Sequence, residues 1–165
     1  MTSYQEIFTR ALHRIEKDAD FFSYYNVESQ AEVEQLVMEQ LASYLPDAID
    51  KIYERGVPEV DFYSAMDNEL QEFTIDLTQR EIGLISSLMF LVYLERQLAL
   101  LGAFKLRMSP SDLNTFSSAN ERNSFKALVS EVRHECDIAL SHYFSVDRLT
   151  NSYKTIDHSA YDYES

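Results

Sequence analysis

Between residues 78 and 102, TQREIGLISSLMFLVYLERQLALLG, apolar side chains run almost all the way round a helical wheel instead of along one stripe. A helix that is apolar on every side is buried on every side. Thr78 and Glu81 stand at capping-box spacing, so the Thr hydroxyl can take the Glu81 amide while the carboxylate returns to the Thr78 amide. Gly102 fits a C′ stop, where a left-handed backbone costs glycine nothing. The pattern predicts a central helix over 79–101, about 34 Å long at roughly 1.5 Å per residue. A bilayer span has the same length, but Glu95, Arg96 and Gln97 interrupt it. Each charge near a bilayer centre costs about 2.5–3.5 kcal/mol, so the expected environment is protein and not membrane.

The remaining elements read as a wrapping for that helix. Ser3 and Glu6 repeat the capping spacing ahead of Ile7, Phe8, Ala11, Leu12 and Ile15, which predicts a first helix to about residue 17. Residues 18–27, DADFFSYYNV, hold four aromatic rings in five positions; leaving them in water is costly, so they pack on this domain's own helices or form a subunit contact. Ser29 and Glu32, again at capping-box spacing, open a second helix through Val33, Leu36, Val37 and Leu41, reaching Leu45. Pro46 suits the first turn of a kinked continuation or a short third helix that stops at Gly56. Residues 57–72 read as loop with one short helical turn. Phe73, Ile75 and Leu77 alternate with polar residues as in a short strand, whose partner is either residues 60–63 in a hairpin or an edge from another subunit. Ser118 and Glu121 start a long last helix over 119–144, with Phe125, Leu128, Val129, Val132, Cys136, Ala139, Leu140 and Tyr143 along one side. After 144 the helical period ends: Tyr153, Ile156, Tyr161 and Tyr163 sit among polar residues with no core of their own, as in an arm that orders on a partner. The fold class expected is mostly α: a helical bundle around a buried central helix (79–101), a short strand or hairpin near 60–77, and an extended C-terminal arm. The body is 1–144 and the arm 145–165; cutting after Phe144 is expected to leave the body folded.

Composition sharpens this. Three Gly and three Pro in 165 residues leave room for long helices and few sharp turns, in one domain with a single core. The net charge of −14 repels nucleic acid and anionic membranes. A single cysteine, Cys136, allows no internal disulfide and fits a reducing cytosol. The opening residues lack the basic and apolar regions of a cleaved secretion signal. Two basic spots stand out, Arg10, Arg14 and Lys17, and then Lys105 and Arg107; each is a solvated face or a subunit contact with the acid-rich second helix of a neighbour. Glu131 and His134 have Glu-x-x-His spacing, but di-iron sites need a second such pair and further carboxylates. His134 is about 200° round the helix from Cys136, a poor arrangement for a nucleophile and its base. No catalytic, cofactor-binding or metal residue is assigned, and a non-enzyme is expected.

Several strings taken together, Asp20-Phe21-Phe22, Tyr24-Tyr25-Asn26, Asp76-Leu77-Thr78, Arg80-Glu81-Ile82, Leu88-Met89, Tyr93-Leu94-Glu95-Arg96, Ser118-Ala119-Asn120-Glu121-Arg122, Asp147-Arg148-Leu149-Thr150 and Lys154-Thr155-Ile156-Asp157, resemble the head–tail connector (neck adaptor) proteins of tailed bacteriophages that infect Gram-positive bacteria. The resemblance implies a mostly helical virion protein located in the neck between head and tail and assembled in the host cytoplasm. It further implies a homo-oligomeric ring, typically twelvefold, beneath the portal protein, with a downstream neck or tail protein as second partner. DNA would pass its lumen without tight binding, with no cofactor and no membrane. On that reading the arm residues Tyr153, Ile156, Tyr161 and Tyr163 engage the portal or a neighbouring subunit. The alternative reading is an acidic decoy that occupies the basic surface of a DNA-binding host protein.

Overall fold

The computed structural model describes residues 1–15, 29–107 and 119–155, with side chains described for all of these except residues 30 and 104–107. The aromatic-rich stretch 18–27, Lys17, Ser118, Ile156, Tyr161 and Tyr163 lie outside the described residues, and the side chains of Lys105 and Arg107 are likewise not described. The elements in chain order are β1 (Thr2–Ser3), α1 (Tyr4–Ile15), α2 (Gln30–Ala42), α3 (Leu45–Arg55), α4 (Phe62–Ala65), β2 (Met66–Asp67), β3 (Glu72–Phe73), α5 (Gln79–Arg107) and α6 (Ala119–Ser145). The protein is mostly helical, with a small three-stranded sheet and a central buried helix against which the others pack.

That central helix is α5. Its capping box forms as the spacing requires: the Thr78 amide donates to Glu81 Oε2 at 2.7 Å, and the Glu81 amide donates to Thr78 Oγ1 at 3.2 Å. Among the described residues, three helices cover it. α1 runs parallel, with Arg10 near Gln79 and Ile15 near Phe90. α3 and α6 run antiparallel: Asp47 meets Arg96 and Arg55 lies near Leu88, while Glu95 meets Arg133 and Tyr143 meets Glu81. α2 lies across α1 and α3. Ile82, Ile85, Leu88, Met89, Val92 and Tyr93 are buried, and Leu94 closes the fully buried part. Beyond Arg96 the cover thins, and Leu100 is 52% exposed. By length and composition Gln79–Ala103 could cross a membrane, but half of its most apolar 18-residue window is buried inside the protein by these helices.

Gly102 does not stop the helix, which continues five residues further to Arg107. No glycine adopts the left-handed backbone, and a Cβ at Gly102 would meet nothing within 4 Å. A glycine permits a left-handed stop without imposing one, and the residues that follow are good helix formers.

The second helix is shorter than its apolar pattern implied. α2 ends at Ala42, and Ser29 occupies its N-cap without a side-chain bond, so the expected capping box with Glu32 is not made. α3 begins at Leu45 with Pro46 in its first turn, where a missing amide costs nothing, and ends at Arg55 with Gly56 as its C-cap. A Cβ at Gly56 would sit 3.3 Å from the Phe144 ring of α6, tight enough that the ring would have to shift by a few tenths of an ångström.

The strand near residue 73 exists, but its partners differ from both alternatives. Residues 62–65 form the helical turn α4, capped by Asp61, whose Oδ1 accepts from the amides of Tyr63 (3.1 Å) and Ser64 (3.3 Å). The hairpin partner of β3 is therefore β2, with Met66 opposite Phe73 and Asp67 opposite Glu72. The other edge of β3 is closed by this chain's own β1, with Thr2 opposite Phe73 and Ser3 opposite Glu72, and not by another subunit. Buried Thr2 also accepts the Leu77 amide at 2.8 Å, tying the sheet to the start of α5.

Because Gly102 is interior and unobstructed, Gly102→Ala is expected to stabilise the protein by about 0.5–1 kcal/mol. Urea denaturation checks this; a left-handed terminus at Gly102 would instead make the substitution destabilising.

Candidate functional site

A buried carboxylate sits at the base of the bundle. Glu81 is 1% exposed, and its charge is held by Arg148 from beyond the end of α6. Arg148 Nε donates to Oε1 at 2.8 Å and Nη2 to Oε2 at 3.2 Å, a two-pronged contact of the kind a guanidinium geometry favours. Thr78 contributes its amide and, at 2.9 Å, its hydroxyl; the Tyr143 hydroxyl lies 3.5 Å from Oε1. Burial, followed by the charges of Glu81 and Glu59, pushes the Tyr143 phenol well above its ordinary range, so it remains a donor. The hydrogen bond to Glu81 raises the Arg148 guanidinium further still. Arg148 Nη2 also donates to the Asp76 carbonyl at 2.5 Å, and its amide donates to Glu59 at 3.2 Å.

This pair carries the chain that follows α6. Val146 bridges Tyr153, Asp147 Oδ1 accepts the amides of Leu149 (3.0 Å) and Thr150 (2.7 Å), and Asn151 takes a positive φ of 60° to close the turn. Those hydrogen bonds hold the Asp147 carboxyl below its usual range. Lys154 meets Glu59 at 2.6 Å and Arg80 Nη2 donates to the Asp147 carbonyl at 3.2 Å. The arm read from residue 145 onward is thus tied to the body as far as Lys154. It displays two large side chains outward, Leu149 at 81% exposure and Tyr153 at 71%, the latter edge-on to His142. A cut after Phe144 therefore removes the counter-charge of a buried carboxylate.

A second surface opens between α1 and α6. His13, Arg14 and Ile15 from the end of α1, Phe90, Tyr93 and Leu94 from α5, and Phe125 and Leu128 from α6 enclose about 640 Å³. Its floor is apolar, Leu128 remains 42% exposed, and exposed Arg14 and His13 stand at its rim. The opposite end of α1 carries the β2–β3 hairpin. Its tip is fixed: Asp67 Oδ1 accepts the amides of Glu69 and Leu70 at 3.0 Å each, Gln71 adopts φ 55°, and the Tyr4 amide donates to the Gln71 carbonyl at 2.9 Å. Leu70 projects from it, 67% exposed, among Asp67, Glu69 and Glu72.

A third feature, a cleft of about 290 Å³ between α3, α5 and α6, is ionic. Glu95 bridges Lys51 (2.8 Å) and Arg133 (2.8 Å), and although burial opposes its charge, these two donors leave its carboxyl below the usual range. Cys136 lines the same cleft. Burial pushes its thiol up to about 11, and its Sγ lies 3.7 Å from the Ser87 carbonyl, so at neutral pH it is a protonated packing group. Glu131 and His134 lie on the exposed side of α6, and among the described residues no cluster of three or more His, Cys, Asp or Glu could hold a metal ion.

Of the candidate subunit-contact residues, Arg14 stands on the groove rim, whereas Arg10 is engaged within the chain, contacting the Gln79 side chain and, at 3.3 Å, its carbonyl. Tyr153 is exposed on the clamped turn. Sequence reasoning missed Arg148 and Leu70. The first carried no local signal, since its partner lies 67 residues away. The second had one: an isolated Leu among four polar or acidic neighbours cannot belong to a core.

Comparison with protein-family models, with curated proteins and with solved structures returns no match.

Two truncations separate the clamp from the residues beyond it. Ending the chain after Thr155 is expected to leave the melting temperature within about 2 °C of the full chain. Ending it after Phe144 should remove about 3 kcal/mol, the lower end for an orphaned buried charge because Arg148 keeps some contact with water. That corresponds to roughly 10 °C in thermal unfolding. Arg148→Ala in the full chain should reproduce most of the loss.

Proposed function

We propose that this chain is a structural protein of assembly, a head–tail connector whose copies join into a ring beneath a phage portal and link it to the next neck or tail component. The observation that carries the reading is where the resembling strings meet. Asp76-Leu77-Thr78, Arg80-Glu81-Ile82, Asp147-Arg148-Leu149-Thr150 and the start of Lys154-Thr155 come from far apart in the chain. They converge on one cluster: the Glu81–Arg148 pair, the Asp76 and Asp147 carbonyls, and the turn that presents Leu149 and Tyr153. Residues shared with a family are expected at such a cluster when it positions a partner-binding segment.

The charge supports the same reading. Exposed carboxylates stud α2 (Glu32, Glu34, Glu39), α3 (Asp50, Glu54) and α6 (Glu131, Glu135, Asp137). A wall of that sign facing a channel repels DNA phosphates, so a duplex slides along it without adhering. Clamped Leu149 and Tyr153, continued by Ile156, Tyr161 and Tyr163, form the surface offered to the portal or to a neighbouring subunit. Copies related by rotation would meet through unlike faces, as closed rings require.

Negative-stain microscopy and mass photometry of the purified protein, alone and mixed with its portal protein, test this. Closed rings of uniform size, with a partner lost on truncation after Thr155, are the expected result. A protein that forms no ring in either condition and instead captures a basic DNA-binding host protein would replace the connector with the decoy.

A further inference from the structure

The two ends of α1 carry surfaces of opposite shape and opposite charge. At its start the hairpin tip holds exposed Leu70 within a fence of carboxylates, Asp67, Glu69 and Glu72. At its end the groove offers an apolar floor, with Phe90, Phe125 and Leu128, beneath the cationic rim of Arg14. Twelve residues of helix separate them, about 18 Å.

From this pairing we infer that the occupant of the α1–α6 groove is the β2–β3 hairpin tip of a second copy of this chain, with Leu70 entering the apolar floor and Glu69 meeting Arg14. The inference rests on the assembly reading above and names the contact through which copies join.

Three observations select this occupant. An isologous contact, groove against groove, would bring two Arg14 rims together in a largely apolar setting, where like charges are costly. The clamped C-terminal turn is another exposed apolar knob among the described residues, but its charges are already paired, Arg148 with Glu81 and Lys154 with Glu59, so it offers little free negative charge to a basic rim. The hairpin tip matches in sign and is already rigid. Asp67 holds its two amides, Gln71 Nε2 bonds the Asn68 carbonyl at 2.7 Å, and the Tyr4 hydroxyl bonds Asn68 Oδ1 at 3.2 Å, so docking costs little ordering entropy. Because knob and groove are different surfaces at opposite ends of one helix, each copy takes one neighbour and offers itself to another. That is the heterologous, head-to-tail contact that closes into a ring or propagates as a filament.

The test uses two full-length variants at exposed positions, Leu70→Asp in the knob and Leu128→Asp in the groove, each checked for unchanged helicity. Sedimentation velocity is run on the wild type, each variant alone, and an equimolar mixture. The wild type is expected to self-associate, and each variant alone to associate at least about 100-fold more weakly. The mixture should form a one-to-one dimer and nothing larger, because only one intact knob and one intact groove remain between the two. Wild-type assembly that both variants retain, or a mixture that stays monomeric while the wild type assembles, overturns the hairpin-in-groove contact and leaves the connector reading standing. A wild type that remains monomeric at every concentration, alone and with portal, overturns both.

Discussion

A carboxylate with almost no access to water cannot remain charged in a protein interior unless donors surround it, and the position of Glu81 forces much of the rest of this structure. Its oxygens face Thr78, Arg148 and Tyr143, drawn from the start of the central helix, the turn after the last helix and the last helix itself. Two stretches distant in sequence, the start of α5 and the end of α6 with the turn after it, must therefore coincide at the base of the bundle. Replacing both ions by apolar groups could serve stability as well, since the desolvation of a buried pair consumes much of its Coulomb gain. What an apolar pair would not supply is direction. The guanidinium fork fixes how the chain leaves α6, and hence where Leu149 and Tyr153 are presented.

Much of the fold was legible because helices announce themselves locally. The all-round apolar run located α5, and the Thr78–Glu81 spacing located its first turn, with both reciprocal bonds present. The same spacing at Ser29 and Glu32 is not realised as a side-chain cap, since spacing only permits the geometry. Gly102 misled for a related reason: glycine tolerates a helix interior at modest cost when the helix has more to bury by continuing. The hairpin was displaced by a few residues because Asp61 caps a turn of helix at 62–65, taking the segment that alternation alone would have paired with β3.

The candidate surfaces were less legible, and the reasons differ. Arg148 and Glu81 have no pattern linking them, so nothing short of a three-dimensional arrangement joins them. Phe125 and Leu128 fall on the apolar stripe of the last helix and read as core; both line the groove between α1 and α6, where Phe125 packs partly buried against the core and Leu128 stays 42% exposed. Arg14 was identified as a basic spot and stands at that groove, whereas Arg10, from the same spot, is taken up at the start of α5. Charge along a helix face predicts that cations are exposed; only packing decides which of them remain available to a partner.

The dependence of the base on one ion pair is most directly measured by a double-mutant cycle in urea with Glu81→Gln, Arg148→Met and the two combined. A coupling of about 2–3 kcal/mol is predicted, because each single change leaves the other group buried without its partner. Additivity within about 0.5 kcal/mol would contradict the account, since the carboxylate and the guanidinium would then be neighbours without holding the terminal turn in place.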